Sequence, residues 1–94
     1  MKLTYREIVD WGIIRRQWVG EAGDYEAILE QHEEDRFTVH IRHKTRNISY
    51  YSYWSYNGRQ TFDSLETATA FAERIIARIE AGDYSGCEGN DVPE

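Results

Sequence analysis

The sequence predicts an α+β fold: a short N-terminal helix, an antiparallel four- to five-stranded meander sheet, and one long C-terminal helix packed on one sheet face. Three observations lead to it, namely strict alternation over residues 36–42, the hairpin dipeptide Asn57-Gly58, and an apolar stripe of helical period over residues 65–79. Apolar residues recur at every second position in a half-buried strand and at about every 3.6 positions along a helix face. We therefore expect a sheet with one covered face and one open face.

Length and composition indicate one folded domain. The chain has 94 residues, of which 40% are hydrophobic and 30% are charged, a balance typical of folded rather than disordered chains. We expect a domain over residues 1–82 and a flexible acidic tail over residues 83–94. Cys87 is the single cysteine, and the residues after Met1 lack the apolar stretch of a signal peptide, so we expect a cytoplasmic protein.

The N-terminal helix is predicted from two local signals. Thr4-Tyr-Arg-Glu7 has the spacing of a capping box, in which the threonine hydroxyl and the glutamate carboxylate satisfy free amides at a helix start. Gly12 can end a helix, because glycine accepts the left-handed conformation that commonly follows the last turn. The expected helix covers residues 5–11.

Extended segments are expected to fill the middle of the chain, with turns between them at polar or glycine-containing stretches. Phe37, Val39 and Ile41 alternate with polar residues and should face the core. The expected strands are residues 13–21, 25–30, 36–42, 48–56 and 59–62.

The long helix has the clearest signal in the chain. Asp63-Ser-Leu-Glu66 gives a second capping-box pattern, with Phe62 just ahead of it. We expect the helix to run from Ser64 to Ala81 and to be ended by Gly82. Its buried stripe should consist of Leu65, Ala68, Phe71, Ala72, Ile75, Ile76 and Ile79.

Residues 47–58 hold four tyrosines and a tryptophan, and turn geometry decides which of them face outward. A two-residue turn at Asn57-Gly58 sets Tyr53 opposite Phe62, so that Tyr53 and Tyr51 lie under the helix. The outward set is then Tyr50, Trp54 and Tyr56. This register goes with a three-residue turn ahead of the aromatic strand. A four-residue turn is the alternative, and it would bury Ile48, Tyr50 and Trp54.

Charge is banded along the chain, whose net charge is −6. Residues 20–35 carry seven acidic groups and no Lys or Arg, whereas residues 36–62 carry five basic groups and no acidic one. Such bands indicate separate interaction surfaces, and a protein is the expected partner. The residues expected to contact it are Tyr50, Trp54, Tyr56, Arg36, Arg42, Arg59, Glu26, Glu30, Glu33, Glu34 and Asp35.

Residues able to carry catalysis or hold a metal do not form a recognisable set. His40 and His43 lie three apart on one strand and point to opposite faces, and no cysteine or further histidine completes a site with His32. Cys87 lies in the tail without a fixed base to activate it. No phosphate-loop, dinucleotide or serine-hydrolase motif occurs. We therefore expect a non-enzymatic protein without a metal or cofactor.

An aromatic and basic sheet face also suits single-stranded nucleic acid or RNA. The three outward rings would stack on bases, and phosphates would be held by Arg36, Arg42, Lys44 and Arg59. The acidic start of the long helix and the net charge of −6 would repel a phosphate backbone, so nucleic acid is the second choice. A homodimer through this face is a further possibility.

The banded charge, the aromatic strand Tyr50–Tyr56 and the "FDSLETATAFAERI" helix resemble small phage-encoded inhibitors of the anti-CRISPR and anti-defence type. The resemblance covers the whole chain in style and involves no shared motif, so no functional residue is carried over. It implies an inhibitor that blocks a nucleic-acid-handling host complex by steric or charge mimicry, without catalysis.

Overall fold

The computed structural model describes residues 1–52 and 60–93, which form a five-stranded antiparallel sheet and one C-terminal helix. Strands follow one another in space in the order of the chain, as in a meander. The elements are β1 Leu3–Asp10, β2 Ile13–Ala22, β3 Tyr25–Glu33, β4 Arg36–His43, β5 Ser49–Tyr51 and α1 Leu65–Glu80.

The N-terminal segment is a strand, so the helix predicted over residues 5–11 is wrong. β1 pairs along its whole length with β2, and Asp10 lies opposite Ile13 at the end of the hairpin. Trp11 and Gly12 form the two-residue loop, with positive φ angles of 53° and 76°, as a type I′ turn requires. Gly12 therefore serves a hairpin turn rather than a helix end, because pairing with β2 outweighs the local capping-box spacing.

A four-residue turn joins β4 to β5, which makes the favoured register wrong. The His43 N–H donates to the carbonyl of Ile48 over 2.9 Å and leaves residues 44–47 as the loop. Ile41 then lies opposite Tyr50, on the covered face of the sheet. Tyr50 is buried, with 7% of its surface exposed, and so it does not face outward as predicted.

The other rings of the aromatic segment are affected by the same register. Tyr51, predicted under the helix, lies on the open face beside His40, and the two rings stack with centroids 4.0 Å apart. Ile48 is buried, as the alternative register predicted. The positions of that segment outside the described residues are Tyr53, Trp54, Tyr56, Asn57-Gly58 and Arg59.

The core lies between α1 and the central strands, since the helix packs mainly on β3 and β4. Ser64 caps the helix by accepting the Thr67 N–H over 3.1 Å. Phe62 packs against Phe71 with 4.6 Å between ring centroids. The predicted stripe is confirmed, with Leu65 half-buried and the rest buried, namely Ala68, Phe71, Ala72, Ile75, Ile76 and Ile79.

The acidic tail returns to the sheet after the helix. Glu88 and Ser49 exchange two backbone hydrogen bonds of 2.8 Å at the outer edge of β5. Asp91 accepts the Asn47 N–H on its carboxylate over 2.7 Å. Gly89 has a φ of 125°, and a Cβ at this position would overlap the Asn47 carbonyl oxygen, so the close approach needs glycine. The tail, expected to be flexible, thus makes specific contacts with the β4–β5 region.

Replacing Ser52 by alanine should destabilise the fold by about 1–3 kcal/mol. The Ser52 side chain is fully buried, and its hydroxyl accepts the N–H of Val39 over 2.9 Å. Alanine would leave that buried N–H without its partner. Urea unfolding followed by circular dichroism measures the loss, with Ser49→Ala as the matched control, because Ser49 bonds Glu88 through its backbone. Equal stability of the two variants would contradict the assignment.

Candidate functional site

The binding surface predicted from the sequence is only partly assembled on the open face of the sheet. Glu26 and Glu30 lie on that face, because successive residues of a strand point to opposite faces and the intervening Ala27 and Leu29 are buried under the helix. Arg36 and Arg42 share the face for the same reason on β4. The acidic residues Glu33, Glu34 and Asp35 lie at the β3–β4 turn. Tyr50 is buried and does not belong to this surface, and the predicted residues Trp54, Tyr56 and Arg59 lie outside the described residues.

Charged groups on the open face are paired with one another. Arg42 contacts Glu26 at 2.9 Å across β3 and β4. Arg36 lies 3.6 Å from Glu33. Lys44 lies 3.2 Å from the Glu21 carboxylate. Three of the cations proposed to hold phosphates therefore already have carboxylate neighbours.

Glu30 is the centre of a hydrogen-bond network that spans β2 and β3. Its carboxylate accepts from the Arg15 guanidinium at 2.7 Å and from the Gln17 amide at 2.7 Å. The Gln17 carbonyl in turn accepts from Arg6 at 2.9 Å. Burial opposes ionisation of Glu30, but the bonds from Gln17 and Arg15 outweigh it and lower the pKa of the carboxyl. The network is therefore a satisfied, ionised element of the sheet.

His40 lies beside this network, stacked on Tyr51 with 13° between the ring planes. Its buried Nε2 has no hydrogen-bond partner among the residues that the structure describes. Burial, followed by the charge of Arg42, lowers the pKa of His40 below its ordinary value of 6.5. The imidazole is therefore neutral at neutral pH.

Acidification should destabilise the folded protein through His40. Because its pKa is lower in the folded state than in the unfolded chain, the unfolded chain binds the proton first as the pH falls below 6.5. The free energy of unfolding should therefore decrease as the pH is lowered through this window. His40→Phe, which keeps a ring to stack on Tyr51, should flatten that decrease below pH 6.5. An unchanged pH profile would contradict the assignment.

The histidines do not assemble a metal site. His32 Nε2 lies 2.7 Å from the Thr38 hydroxyl. His43 uses its Nδ1 to accept the backbone N–H groups of Thr45 and Arg46 at 3.1 and 3.0 Å. Across residues 1–52 and 60–93, no group of three or more potential metal ligands is brought together.

Among residues 1–52 and 60–93, the most exposed apolar surface lies at the far end of the β1–β2 hairpin, over residues 8–14, which we call the arm end. Trp11 at its tip is 96% exposed, and Val9 and Ile13 are 73% and 66% exposed. Val9 and Ile14 share the helix side of the sheet, whereas Ile8 and Ile13 point to the open face. Apolar side chains therefore surround the arm end on both faces and at its tip, which is unusual for a surface element.

The turn at the arm end holds a tryptophan in an unfavourable backbone conformation. Trp11 has a φ of 53°, a left-handed value that bulky residues rarely adopt and that asparagine or glycine would accept more readily. Gly12 follows with a φ of 76°. The sequence thus places an exposed indole where a small polar residue would give a more stable turn.

The base of the hairpin is anchored in the core. Trp18 packs between Tyr5 and Phe37, with ring centroids 4.8 and 5.9 Å away. Met1 and Leu3 also contact the core, and the N-terminal ammonium bonds Glu73 at 2.9 Å. The arm end therefore projects from a fixed base, beyond the region that α1 covers.

Sequence reasoning missed the arm end because it assigned residues 5–11 to a helix. The available signal was the run from Ile8 to Ile14, in which Asp10 and Gly12 are the only residues that are not apolar. Such a run fits neither a strand with one apolar face nor a helix with one apolar face. In the structure, Gly12 and the preceding residue both have positive φ angles, which is the geometry of a hairpin turn.

None of the helices in the described part of the chain is both long and apolar enough to cross a membrane. Comparison with protein-family models, with curated proteins and with solved structures gave no match to this chain.

Proposed function

We propose that this protein is a non-enzymatic protein-binding module and that the arm end is its principal contact surface. The observation that carries the proposal is the exposure of Trp11, Val9 and Ile13 at the tip of an anchored hairpin. Tryptophan is enriched among the residues that dominate binding energies, especially where a pocket excludes water around it. A rigid base limits the entropy that such a contact loses on binding.

The shape of the arm end indicates the kind of surface that receives it. Apolar side chains on both faces of the hairpin are covered together only by a cleft that encloses the tip, because a flat surface covers one face. Two arginines follow directly behind the apolar residues, of which Arg15 is already paired with Glu30 and Arg16 is exposed. A cleft with an apolar floor and an acidic rim would therefore complement the arm end in both hydrophobicity and charge.

Inhibition by occlusion is the activity that such a module would have. A hairpin inserted in the cleft of a nucleic-acid-handling complex would exclude whatever that cleft normally holds, and the acidic remainder of the chain would repel nucleic acid. This is the mode that the resemblance to phage-encoded inhibitors implies. No chemical step by the protein is needed.

Capture from the native host with paired variants tests this proposal. Wild-type bait should retain a protein that Ile13→Ser bait loses, and Tyr51→Ser bait should still retain it. Tyr51 is the matched control because it is a partly exposed apolar residue on the open sheet face. The captured protein is then purified and titrated against all three forms. Binding that is lost with Tyr51→Ser and kept with Ile13→Ser would assign the site to the sheet face and overturn the arm end.

A further inference from the structure

The outer edge of β1 is unpaired within the described part of the chain. β1 pairs with β2 on one side only, over eight consecutive residues from Leu3 to Asp10 without a bulge. The sequence of this strand contains no proline, and a regular edge of this length is a template for pairing with another strand. At the opposite side of the sheet, the short strand β5 is bridged by Glu88 from the tail.

The hairpin geometry fixes which backbone groups of β1 face outward. In a two-residue hairpin the residues that flank the loop, here Asp10 and Ile13, exchange hydrogen bonds. Every second residue from Asp10 towards the N-terminus then also forms backbone hydrogen bonds with β2. The residues between them direct their N–H and C=O groups to the free edge, and these are Leu3, Tyr5, Glu7 and Val9.

We propose that β1 pairs with β1 of a second copy of this chain, antiparallel about a two-fold axis perpendicular to the sheet. In this arrangement Arg6 lies opposite Arg6 of the second copy, and the outward residues of the two strands face each other. Leu3 then lies opposite the second copy's Val9, and Tyr5 opposite its Glu7. The pairing continues the antiparallel ladder of the monomer and forms one ten-stranded sheet, with about eight new backbone hydrogen bonds.

Side chains along this register complement one another. Lys2 lies opposite the second copy's Asp10, which gives two opposite-charge pairs by symmetry. Tyr5 donates its hydroxyl to Glu7 of its own strand at 2.8 Å and can make the same bond to the second copy's Glu7. The exposed Val9 gains an apolar neighbour in the second copy's Leu3. Arg6 donates its Nε–H to the side chain of Gln17 on β2. This bond directs the guanidinium towards β2, and therefore away from the two-fold axis and from Arg6 of the second copy.

Val9 would also gain cover from the helix of the second copy. Leu3 lines a hollow of about 500 Å³ beside α1, whose other lining residues are Leu65, Glu66, Thr69, Ala70 and Glu73. The second copy's Val9 would lie next to this hollow. The pairing covers one of the most exposed apolar side chains of the monomer and leaves the tips, with Trp11 and Ile13, projecting at opposite ends of the joined sheet.

Registers shifted by two residues complement less well. A shift in one direction sets Tyr5 opposite Tyr5 and leaves Asp10 without a partner. A shift in the other direction sets Glu7 opposite Glu7 and leaves Leu3 unpaired within β1. Of the three registers, only the proposed one joins Lys2 to Asp10 and sets Leu3 opposite Val9.

Light scattering coupled to size exclusion tests the pairing on the purified full chain. The mass should be that of two chains and should fall to that of one chain on dilution. A mass of one chain at every concentration up to the solubility limit would overturn the proposal. Species larger than two chains would also overturn it, because a two-fold pairing closes on itself.

A charge-swap cycle tests the register. Lys2→Asp and Asp10→Lys each create two like-charge pairs, and each should raise the dimer dissociation constant by roughly tenfold. The double variant restores two opposite-charge pairs and should return the constant to near that of the wild type. Single variants that leave the constant unchanged, or a double variant that stays as weak as the singles, would overturn the proposed register.

Glu7→Pro tests the hydrogen bonding without relying on charge. It removes an outward N–H that β2 does not use, so the monomer should keep its strand spectrum by circular dichroism, whereas dimerisation should weaken more than about tenfold. A dimer that survives this change would place the interface elsewhere. The pairing and the proposed function both use Val9, yet they are distinguishable, because Ile13→Ser should abolish partner capture and leave the mass at two chains, whereas Glu7→Pro should do the reverse.

Discussion

Phe71→Ala is expected to reduce the free energy of unfolding by about 3–5 kcal/mol. Phe71 is 5% exposed and lies where the helix meets two other rings, 4.6 Å from Phe62 and 6.0 Å from Tyr50 between centroids. Removing it leaves a cavity that these neighbours fill only in part. A domain of this length is stabilised by about 5–14 kcal/mol in total, so the variant should lose a large share of its stability.

Urea unfolding followed by circular dichroism measures this loss, with Trp11→Ala as the matched control. The control removes a larger ring that is 96% exposed, and it should change the stability by no more than about 0.5 kcal/mol. Similar destabilisation by both substitutions would mean that Trp11 is covered in solution. A small effect of Phe71→Ala would contradict the packing of α1 on the sheet.

Trp11→Asn is expected to stabilise the fold and to abolish binding. Asparagine followed by Gly12 is among the most favourable type I′ turns, so relief of the left-handed tryptophan should add up to about 1 kcal/mol to the stability. The same change removes the indole from the arm end and should weaken partner affinity by 2 kcal/mol or more, which is about thirtyfold. Opposite signs for stability and binding distinguish a functional residue from a structural one.

Thermal unfolding and titration of the captured partner measure the two effects on the same preparation. Gly12→Ala is the informative comparison, because it should destabilise the turn while keeping the indole. Loss of stability in Trp11→Asn would show that the ring packs against the chain. Unchanged affinity would remove Trp11 from the binding surface.

Much of the fold follows from the sequence because its strongest patterns are enforced by burial. Phe37, Val39 and Ile41 alternate as predicted, and all three are buried under the helix. The stripe along α1 is likewise buried, and Ser64 begins the helix one residue inside the predicted capping box. In these segments local preference and tertiary packing favour the same conformation.

Two expectations failed because local signals were outweighed by contacts with distant parts of the chain. A spacing of three residues from Thr4 to Glu7 fits a capping box, but it also occurs in a strand, and only pairing with β2 distinguishes them. The β4–β5 register was inferred from the turn dipeptide Asn57-Gly58 after the aromatic strand. In the structure, the turn that precedes β5 determines this register. There, His43 fixes the preceding turn by accepting two backbone N–H groups.

The candidate site was harder to predict than the fold. Arginines and glutamates were assigned to a binding surface because they cluster in sequence, whereas folding brings Arg42 and Glu26 together and satisfies both. Ile8, Val9 and Trp11 of the arm end were predicted to lie in a helix and Ile13 and Ile14 in the following strand, where packing would have accounted for them. Only the three-dimensional structure shows that Trp11 has no cover.

The contact between Glu88 and Ser49 has a consequence for how far the sheet can grow. A sheet with two open edges adds copies at both sides and polymerises, as fibrils do. Here the tail occupies the β5 side at Ser49, so growth would be directed to the β1 side, where the proposed two-fold pairing would use up the edge. In that arrangement the acidic tail would act as a terminator of assembly, allowing a pair to form and opposing the recruitment of a third copy.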